Sequence, residues 1–230
     1  MSQDIKKGAG KMHPGRISAG YSKTGKKAYN QNMKRSNIQQ AAKILFLEKK
    51  YSTITVDEIA RQAGVTKRTL YFYYPSKLAL FVHVIDEHLQ QLHQHITRKA
   101  RQNLPVLEVL AHVALAFFEF TKNNQKFMRL YWTLDSEEFD GVIPAELLER
   151  IKIWTKAIFE EVGKIIEKGK RDGLISDLDT DLLIHLMSAM NKGIFMHTSK
   201  ENRFNIAKID PEELYQMVSQ ILFNGLFKQT

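Results

Sequence analysis

The stretch TVDEIARQAGVTKRTLYFYYPSK, residues 55–77, constrains the fold of this chain more than any other segment. Thr55, followed three residues later by Glu58, is a capping box, and it predicts a helix start. A glycine follows where that helix needs a residue tolerant of positive φ. Thr66 can cap a second short helix, and Pro75 ends that helix because the residue before a proline is pushed out of helical space. Two short helices with a glycine-containing turn predict a DNA-reading helix-turn-helix.

The second of these helices carries hydrogen-bond donors and no carboxylate. Lys67 and Arg68 place two cations at its N-terminus, an arrangement that favours a phosphate backbone. Leu70 is the aliphatic residue expected to anchor the helix to its own core. The alternative is a protein–protein helical hairpin, which the cationic face disfavours.

A set of residues at fixed spacing in this stretch carries a family resemblance. The set is Thr55, Ile59, Ala60, Ala63, Gly64, Val65, Thr66, Thr69, Leu70, Tyr71, Tyr73, Tyr74, Ser76 and Lys77. It resembles the DNA-binding signature of the tetracycline-repressor (TetR) family, over about a quarter of the chain, from near Lys34 to near His93. Two positions depart from the family pattern: Arg68 stands where glycine is frequent, and Tyr73 where histidine is frequent.

The resemblance implies an all-α chain with two domains. An N-terminal three-helix DNA-binding domain would span residues 34–94, with its helix-turn-helix at about 57–76. A helical ligand-binding and dimerisation domain would follow over residues 95–230. DNA contacts would come from the second helix of the motif and from the residues that begin the helices on either side. These residues are Thr55, Thr66, Lys67, Arg68, Thr69, Tyr71, Tyr73 and Lys77.

Positive charge is concentrated at the N-terminus. Residues 1–35 hold nine Lys or Arg and one acid, a net charge of +8, against +9 for the whole chain. Residues 1–33 show no helical or strand period, so we expect a disordered basic arm whose partner is an anionic polymer. Such an arm can lie along double-stranded DNA or enter a minor groove. A solubilising tail or a tag remnant is the alternative interpretation.

The rest of the chain shows helical periodicity and no convincing strand. Helices are predicted to begin at Ser36, Ser76, Pro105, about residue 125, Pro144, Asp179 and Pro211, with loops at 135–143 and 198–209. The helix that begins at Ser76 should reach about Gln102, roughly 40 Å at 1.5 Å per residue. It would therefore couple the DNA-binding domain mechanically to the rest of the chain.

The last two helices, 179–197 and 211–228, have apolar surface wider than one stripe. A helix that buries one face needs only about three apolar residues per two turns, so the extra width suggests a second subunit. The resemblance implies the same, because members of the family usually dimerise through a four-helix bundle. The alternative is that both helices are interior. The candidate dimer-interface residues are Leu186, Ala189, Gly193, Val218, Ile221, Leu222 and Gly225.

Aromatic and methionine side chains are frequent in the C-terminal part. They suit a large apolar or planar ligand, and the resemblance implies an inducer pocket there. Ordinary core packing is the alternative for any one of them. The candidate ligand-binding residues are Phe117, Phe118, Phe127, Met128, Tyr131, Trp132, Trp154, Met187 and Met190.

Several classes of function are disfavoured by what the sequence lacks. Without cysteine there are no disulfides, thiolate metal sites or cysteine nucleophiles. No apolar run approaches the roughly 18 residues of a membrane span, and no signal peptide is evident, so a soluble cytoplasmic protein is expected. The histidines of the long helix include no i, i+4 pair, and no catalytic motif is present. We expect no enzyme activity, no metal and no cofactor.

Together these features predict a homodimeric, DNA-binding transcriptional regulator. By resemblance it would be a repressor released from its operator by a small, largely apolar ligand. One alternative is an inducer-less or weakly specific DNA-binding protein driven by the basic N-terminal arm. The other is a helical interaction or ligand-binding protein that does not bind DNA.

Overall fold

The computed structural model describes residues 23–101, 103–135, 139, 141–198 and 209–226. The all-α prediction is confirmed, because the described residues form nine α-helices and no β-strand. The helices are α1 (Lys23–Glu48), α2 (Val56–Gln62), α3 (Lys67–Tyr73), α4 (Lys77–Ala100), α5 (Val106–Asn123), α6 (Gln125–Trp132), α7 (Ala145–Arg171), α8 (Thr180–Thr198) and α9 (Pro211–Leu226). No described helix combines the length and the apolarity needed to cross a membrane.

The first three helices and the start of α4 form the head of the molecule. The apolar residues on one face of α1 from Ile38 onward are buried, as are the residues that α2 and α3 turn inward. Leu70 of α3 is fully buried and anchors this short helix, as the sequence predicted. The buried head residues are Ile38, Ala41, Ala42, Leu45, Phe46, Ile59, Ala60, Ala63, Leu70, Leu80 and Phe81.

Helix α1 begins at Lys23, thirteen residues before its predicted start at Ser36. The prediction of a disordered arm is therefore wrong for residues 23–33, while residues 1–22 lie outside the described residues. The reason is that residues 27–37 are exposed throughout, so no apolar stripe marks this part of the helix. Once the packed segment from Ile38 onward has nucleated the helix, each further residue adds one hydrogen bond and loses the conformational entropy of only one residue.

Helix α4 runs from the head into the body, which comprises the rest of α4 and α5 to α9. It is buried on one side along most of its length, from Leu80 to Ile96. Phe127 and Met128 of α6 and Ile151 of α7 belong to the same hydrophobic cluster as the head residues. The head and the body therefore share a continuous core, and α4 passes through it.

A polar contact joins α4 to α7 near the middle of both helices. The indole Nε1 of Trp154 donates to Asp86 Oδ1 at 2.8 Å, and a guanidinium nitrogen of Arg150 lies 3.3 Å from Asp86 Oδ2. Asp86 therefore accepts hydrogen bonds from two α7 residues that lie one turn apart.

The predicted helix starts in the body are confirmed, because the signals for them are local. Asp179 Oδ1 accepts from the Leu182 N–H at 2.7 Å, and Asp210 Oδ1 accepts from the Glu212 N–H at 2.7 Å. Gly173, with φ +74°, lies just beyond the end of α7 at Arg171. Residues 136–138 and 140 of the loop predicted at 135–143, residues 199–208 of the loop predicted at 198–209, and the last two residues predicted for α9 lie outside the described residues.

Candidate nucleic-acid interface

Side-chain caps fix the three helices around the predicted DNA-reading motif. Thr55 Oγ1 accepts from the Glu58 N–H at 3.2 Å, Thr66 Oγ1 from the Thr69 N–H at 3.1 Å, and Ser76 Oγ from the Ala79 N–H at 2.9 Å. Caps of this kind each contribute about 1 kcal/mol to the stability of a helix start. The hydroxyls of Thr55 and Thr66, both predicted to contact DNA, therefore also hold α2 and α3 in place.

The turn between α2 and α3 depends on Gly64. Its φ is +65°, in the left-handed region where a side chain is strained, as the sequence pattern predicted. The following residue, Val65, donates its N–H to Ala60 O at 3.0 Å, which closes the C-terminus of α2. The turn orients α3 so that Leu70 points inward and Arg68, Tyr71 and Phe72 point outward.

Lys67 and Arg68 are both exposed, but their surroundings differ. The Lys67 ammonium lies 2.8 Å from Asp57 Oδ2, and the hydrogen bond to that carboxylate raises the pKa of Lys67. Arg68 has neither an ion pair nor a side-chain hydrogen bond with any residue that the structure describes. Of these two predicted DNA-contacting cations, Arg68 is therefore the one whose charge no described carboxylate offsets.

Tyr73 and Lys77 hold neighbouring segments of the head together. The Tyr73 hydroxyl donates to Gln31 O of α1 at 3.1 Å. The Lys77 ammonium donates to the carbonyl oxygens of Tyr51 and Ile54 at 2.8 and 2.9 Å, and it lies 4.0 Å from the centre of the Tyr51 ring. Direct DNA contact by these two side chains stays a prediction.

Sequence reasoning missed two parts of this surface. Phe72 is 75% exposed, the largest exposed fraction among the large hydrophobic side chains of the described residues. The exposed start of α1 also lies beside α3, and the two helices enclose a cleft of about 630 Å³. This α1–α3 cleft is lined by Lys27, Asn30, Gln31, Lys34, Arg68, Thr69, Phe72 and Tyr73. The spacing of Lys27, Gln31 and Lys34 at i, i+4 and i+7 was the available signal, because it places them on one helix face.

An ion pair joins the segment after α1 to the first turn of α2. Lys49 Nζ lies 2.5 Å from Glu58 Oε1, and this hydrogen bond lowers the pKa of Glu58, helped by the backbone N–H of Thr55. Both groups are partly exposed, so the pair contributes little to stability. The hydrogen bond between the Glu58 carboxylate and the Thr55 N–H, together with the one from the Glu58 N–H to Thr55 Oγ1, forms the capping box that the sequence predicted at the start of α2.

Two histidines of α4 are packed inside the molecule. His83 Nε2 lies 2.7 Å from Gln39 Nε2, which also donates to the Tyr74 hydroxyl. His88 is 3% exposed, its Nδ1 lies 2.8 Å from Val84 O, and its ring stacks on Phe127 at 4.5 Å. Burial lowers the pKa of both histidines. The described residues contain no group of three or more potential metal ligands.

The predicted ligand-binding residues are divided between cavities and solid core. Two small cavities in the body, of about 50 and 200 Å³, share Asn191 in their linings. Phe117 and Met187 line the smaller cavity and Phe118 lines the larger one. The other six predicted residues, Phe127, Met128, Tyr131, Trp132, Trp154 and Met190, line neither. Phe127 and Met128 are almost fully buried where the body meets the head.

The predicted dimer-interface residues form an exposed apolar surface on α8 and α9. Leu186 is 50% and Ile221 is 66% exposed. Ala189, Gly193 and Gly225 are exposed, and Val218 and Leu222 are partly buried. Three further exposed apolar residues lie on the same helices, Leu182, Met196 and Met217, and these were not among the candidate interface residues. Leu182, Leu186, Ala189, Gly193 and Met196 recur at the spacing of a single helix face.

Comparison with known proteins identifies related regulators. The sequence model for bacterial regulatory proteins of the tetR family matches residues 38–84. The chain is 27% identical over 196 residues to the HTH-type transcriptional activator FasR of Mycolicibacterium smegmatis, covering 84% of this chain and 83% of FasR. It is 24% identical over 154 residues to IcaR, the negative transcriptional regulator of the biofilm operon icaADBC in Staphylococcus aureus, covering 66% and 79%.

Solved structures confirm the fold. The crystal structure of the transcriptional regulator FadR from Bacillus subtilis, in complex with stearoyl-CoA, matches with a TM-score of 0.67 at 21% identity. The match covers 83% of this chain and 98% of the FadR chain. At this identity the likeness shows a shared architecture: an N-terminal helix-turn-helix head followed by a helical body.

Proposed function

We propose that this chain is a DNA-binding transcriptional regulator of the TetR family, and that it represses transcription by reading a near-palindromic operator with two copies of α3. The observation that carries this proposal is the outward face of α3, where Arg68, Tyr71 and Phe72 are exposed on a helix without a carboxylate. A helix presented in this way enters the major groove and reads base edges. Repression would follow because the bound protein occupies DNA that the transcription machinery needs.

A second copy of the chain is part of this proposal. The exposed apolar surface of α8 and α9, which includes Leu186 and Ile221, supports pairing of these two helices with the same helices of a partner. A symmetric pair would use the same surface twice and would place two α3 helices about one turn of DNA, or somewhat more, apart. The operator would then mirror the two-fold symmetry of the protein.

A reporter assay tests the sign of regulation. A duplex that the protein binds sequence-specifically is placed between a promoter and a reporter gene in a bacterium that lacks the regulator. We expect the wild-type chain to lower reporter output and Arg68→Ala to restore it. Arg98→Ala removes the same charge from the exposed C-terminal end of α4 and should repress like the wild type. Higher output with the wild-type chain would identify an activator instead.

We further propose that a small, largely apolar ligand releases the protein from DNA by binding in the body. The support is the pair of cavities that share Asn191, whose linings are mostly apolar and include Phe117, Phe118 and Met187. Their combined volume is below the roughly 300–1,000 Å³ of typical ligand pockets, so binding would have to widen the body. Because α4 lines the smaller cavity through Ile96 and also begins in the head, widening would move the head. FadR, solved in complex with stearoyl-CoA, is a protein of this architecture whose ligand has a long apolar acyl chain, attached to a polar coenzyme A group.

A cavity-filling substitution tests the ligand proposal. Operator complexes are challenged with a panel of fatty acids, acyl-CoA thioesters and planar aromatic compounds, and release is followed by fluorescence anisotropy. Ala114→Leu fills the smaller cavity and should abolish release while operator binding is retained. Ala111→Leu makes the same change at an exposed site on α5 and should leave the response intact. Release that is unchanged in Ala114→Leu would place the ligand elsewhere.

A further inference from the structure

The exposed start of α1 is an unusual helix, because it has no apolar face and no compensating acid. Between Lys23 and Leu47, α1 carries six Lys or Arg and no Asp or Glu. Residues 27–37, the part of this segment whose side chains the structure describes, are all exposed and precede the buried Ile38, so about three turns of the helix project from the head without covering any core. Like charges on one helix repel each other, and a surface of this kind is suited to an anionic partner.

The position of this segment beside α3 restricts what the partner can be. The Tyr73 hydroxyl donates to Gln31 O at 3.1 Å and holds the start of α1 against α3. Lys27 and Lys34 line one wall of the α1–α3 cleft and Arg68 lines the other. Neither lysine is paired with an acid that the structure describes. The cleft therefore has the two lysines of α1 on one side and, on the other, the helix that is proposed to read the bases.

We propose that the α1–α3 cleft receives the sugar-phosphate backbone of DNA beside the base pairs that α3 reads, so that α1 is a second DNA-binding element. The proposal rests on the proposed function, because it takes α3 to lie in the major groove. Lysine is a flexible point charge that suits phosphate contacts rather than base readout, so Lys27 and Lys34 add affinity without sequence information. Phe72, whose ring lines the same cleft, offers an apolar surface to the deoxyribose.

The length of the segment sets the size of the contact. Residues 27–34 extend about 10 Å along the helix axis at 1.5 Å per residue. Phosphates of one DNA strand are spaced by about 3.4 Å along the duplex axis, so the segment spans about three of them. Each subunit should therefore protect two or three nucleotides from hydroxyl-radical cleavage that α3 alone would leave accessible.

Neutralising the two lysines tests the proposal. The double variant Lys27→Gln/Lys34→Gln is compared with wild type in the full-length protein, on a duplex selected by wild type from a random pool. In a dimer it removes four phosphate contacts, so the slope of log K against log salt should become shallower by about three to four. Affinity near 0.15 M salt should fall by about tenfold to a hundredfold. Hydroxyl-radical protection should be lost at two or three nucleotides per half-site.

A matched variant separates local contact from net charge. Arg98→Gln/Arg101→Gln removes two charges from exposed positions at the C-terminal end of α4, roughly 25–30 Å along the helix axis from Phe81 of the head, and should leave the slope and the footprint unchanged. The proposal would be overturned if both double variants lost DNA affinity equally, or if Lys27→Gln/Lys34→Gln had the footprint of the wild type. An acidic protein would then be the remaining candidate partner for the cleft. The sequence preference is a separate readout: Lys27→Gln/Lys34→Gln should keep the wild-type motif, whereas the absence of any wild-type motif would instead count against α3 as the reading helix.

Discussion

Two adjacent cations on α3, Lys67 and Arg68, should contribute unequally to DNA recognition. Lys67 is held 2.8 Å from the Asp57 carboxylate, whereas Arg68 has no such partner among the described residues. We expect Arg68→Ala to cost about 1–3 kcal/mol of discrimination at one base pair per half-site, because arginine reads guanine with two hydrogen bonds. Lys67→Ala should cost less, and mainly in affinity that does not depend on sequence.

Binding isotherms on the selected duplex and on single-base variants of it check this difference. Asp57→Ala is the informative control, because it frees the Lys67 ammonium and should strengthen binding to DNA of any sequence. A larger loss of discrimination in Lys67→Ala than in Arg68→Ala would show that the Asp57 ion pair opens on DNA and that Lys67 is the reader.

At the residue scale, local signals were predictable and long-range partners were not. Thr55, Thr66 and Ser76 cap helices as predicted, because a cap and its N–H partner lie within three residues. The hydrogen bond from Tyr73 to Gln31 spans 42 positions, and no pattern in the sequence marks it. Lys77 likewise bonds to carbonyl groups 23 and 26 positions away, so its role inside the head could not be derived beforehand.

At the scale of the elements, we expect two histidines of α4 to make the free energy of unfolding depend on pH. Burial lowers the pKa of His83 and His88 below the ordinary value of about 6.5. Below pH 6.5 the unfolded chain therefore binds more protons than the folded chain, and the free energy of unfolding falls as the pH decreases. Above that pH both states are neutral at these positions, and the two histidines add no pH dependence.

Urea unfolding at pH 7.5 and 5.5 measures this effect. We expect the wild type to be less stable at pH 5.5, and His83→Gln/His88→Gln to lose much of that difference. His197→Gln, at an exposed position on α8, is the control and should behave as wild type. Equal pH dependence in the double variant and the wild type would assign the acid sensitivity to other groups.

The polar contact between Asp86 of α4 and two residues of α7 should stabilise the folded chain. Asp86→Ala leaves the partly buried Trp154 Nε1 without its acceptor and removes the partner of Arg150. Hydrogen bonds to a charged group contribute about 1.5–3 kcal/mol, and the partial exposure of Asp86 places the expected loss of stability near the lower end. Thermal unfolding checks the prediction against Glu87→Ala, the neighbouring acid on α4. Equal thermal stability of the two variants would mean that the hydrogen bonds of Asp86 do not stabilise the fold.

Helix starts were predicted well wherever a capping residue or a proline lies at the start of the helix. Helices α2 to α5 and α7 to α9 begin within two residues of the positions that caps and prolines indicated. The start of α1 was missed by thirteen residues, because the helix there has no buried face to impose a period. The cavities could not be predicted either, since their linings combine residues from four or more segments of the chain.

The whole molecule is expected to act as a dimer through α8 and α9. Leu186→Glu/Ile221→Glu places a charge on each exposed apolar surface and should give a folded monomer with greatly weakened operator binding, because one half-site alone holds half of the contacts. Light scattering should report about twice the 26.6 kDa chain mass for the wild type and about that mass for the variant. Leu115→Glu/Ile153→Glu, at exposed positions on α5 and α7, should remain dimeric. A dimeric Leu186→Glu/Ile221→Glu variant would exclude this interface.

Selection of bound duplexes from a random DNA pool tests the central claim most directly. The account predicts a single near-palindromic motif for the wild type, with two half-sites about one helical turn or somewhat more apart, and a relaxed base preference in each half-site for Arg68→Ala. A chain lacking residues 1–22 should select the same motif, since the helices that read DNA remain. Absence of any motif in the wild type, with binding lost on removal of residues 1–22, would contradict the account and identify a non-specific DNA-binding protein driven by its basic N-terminus.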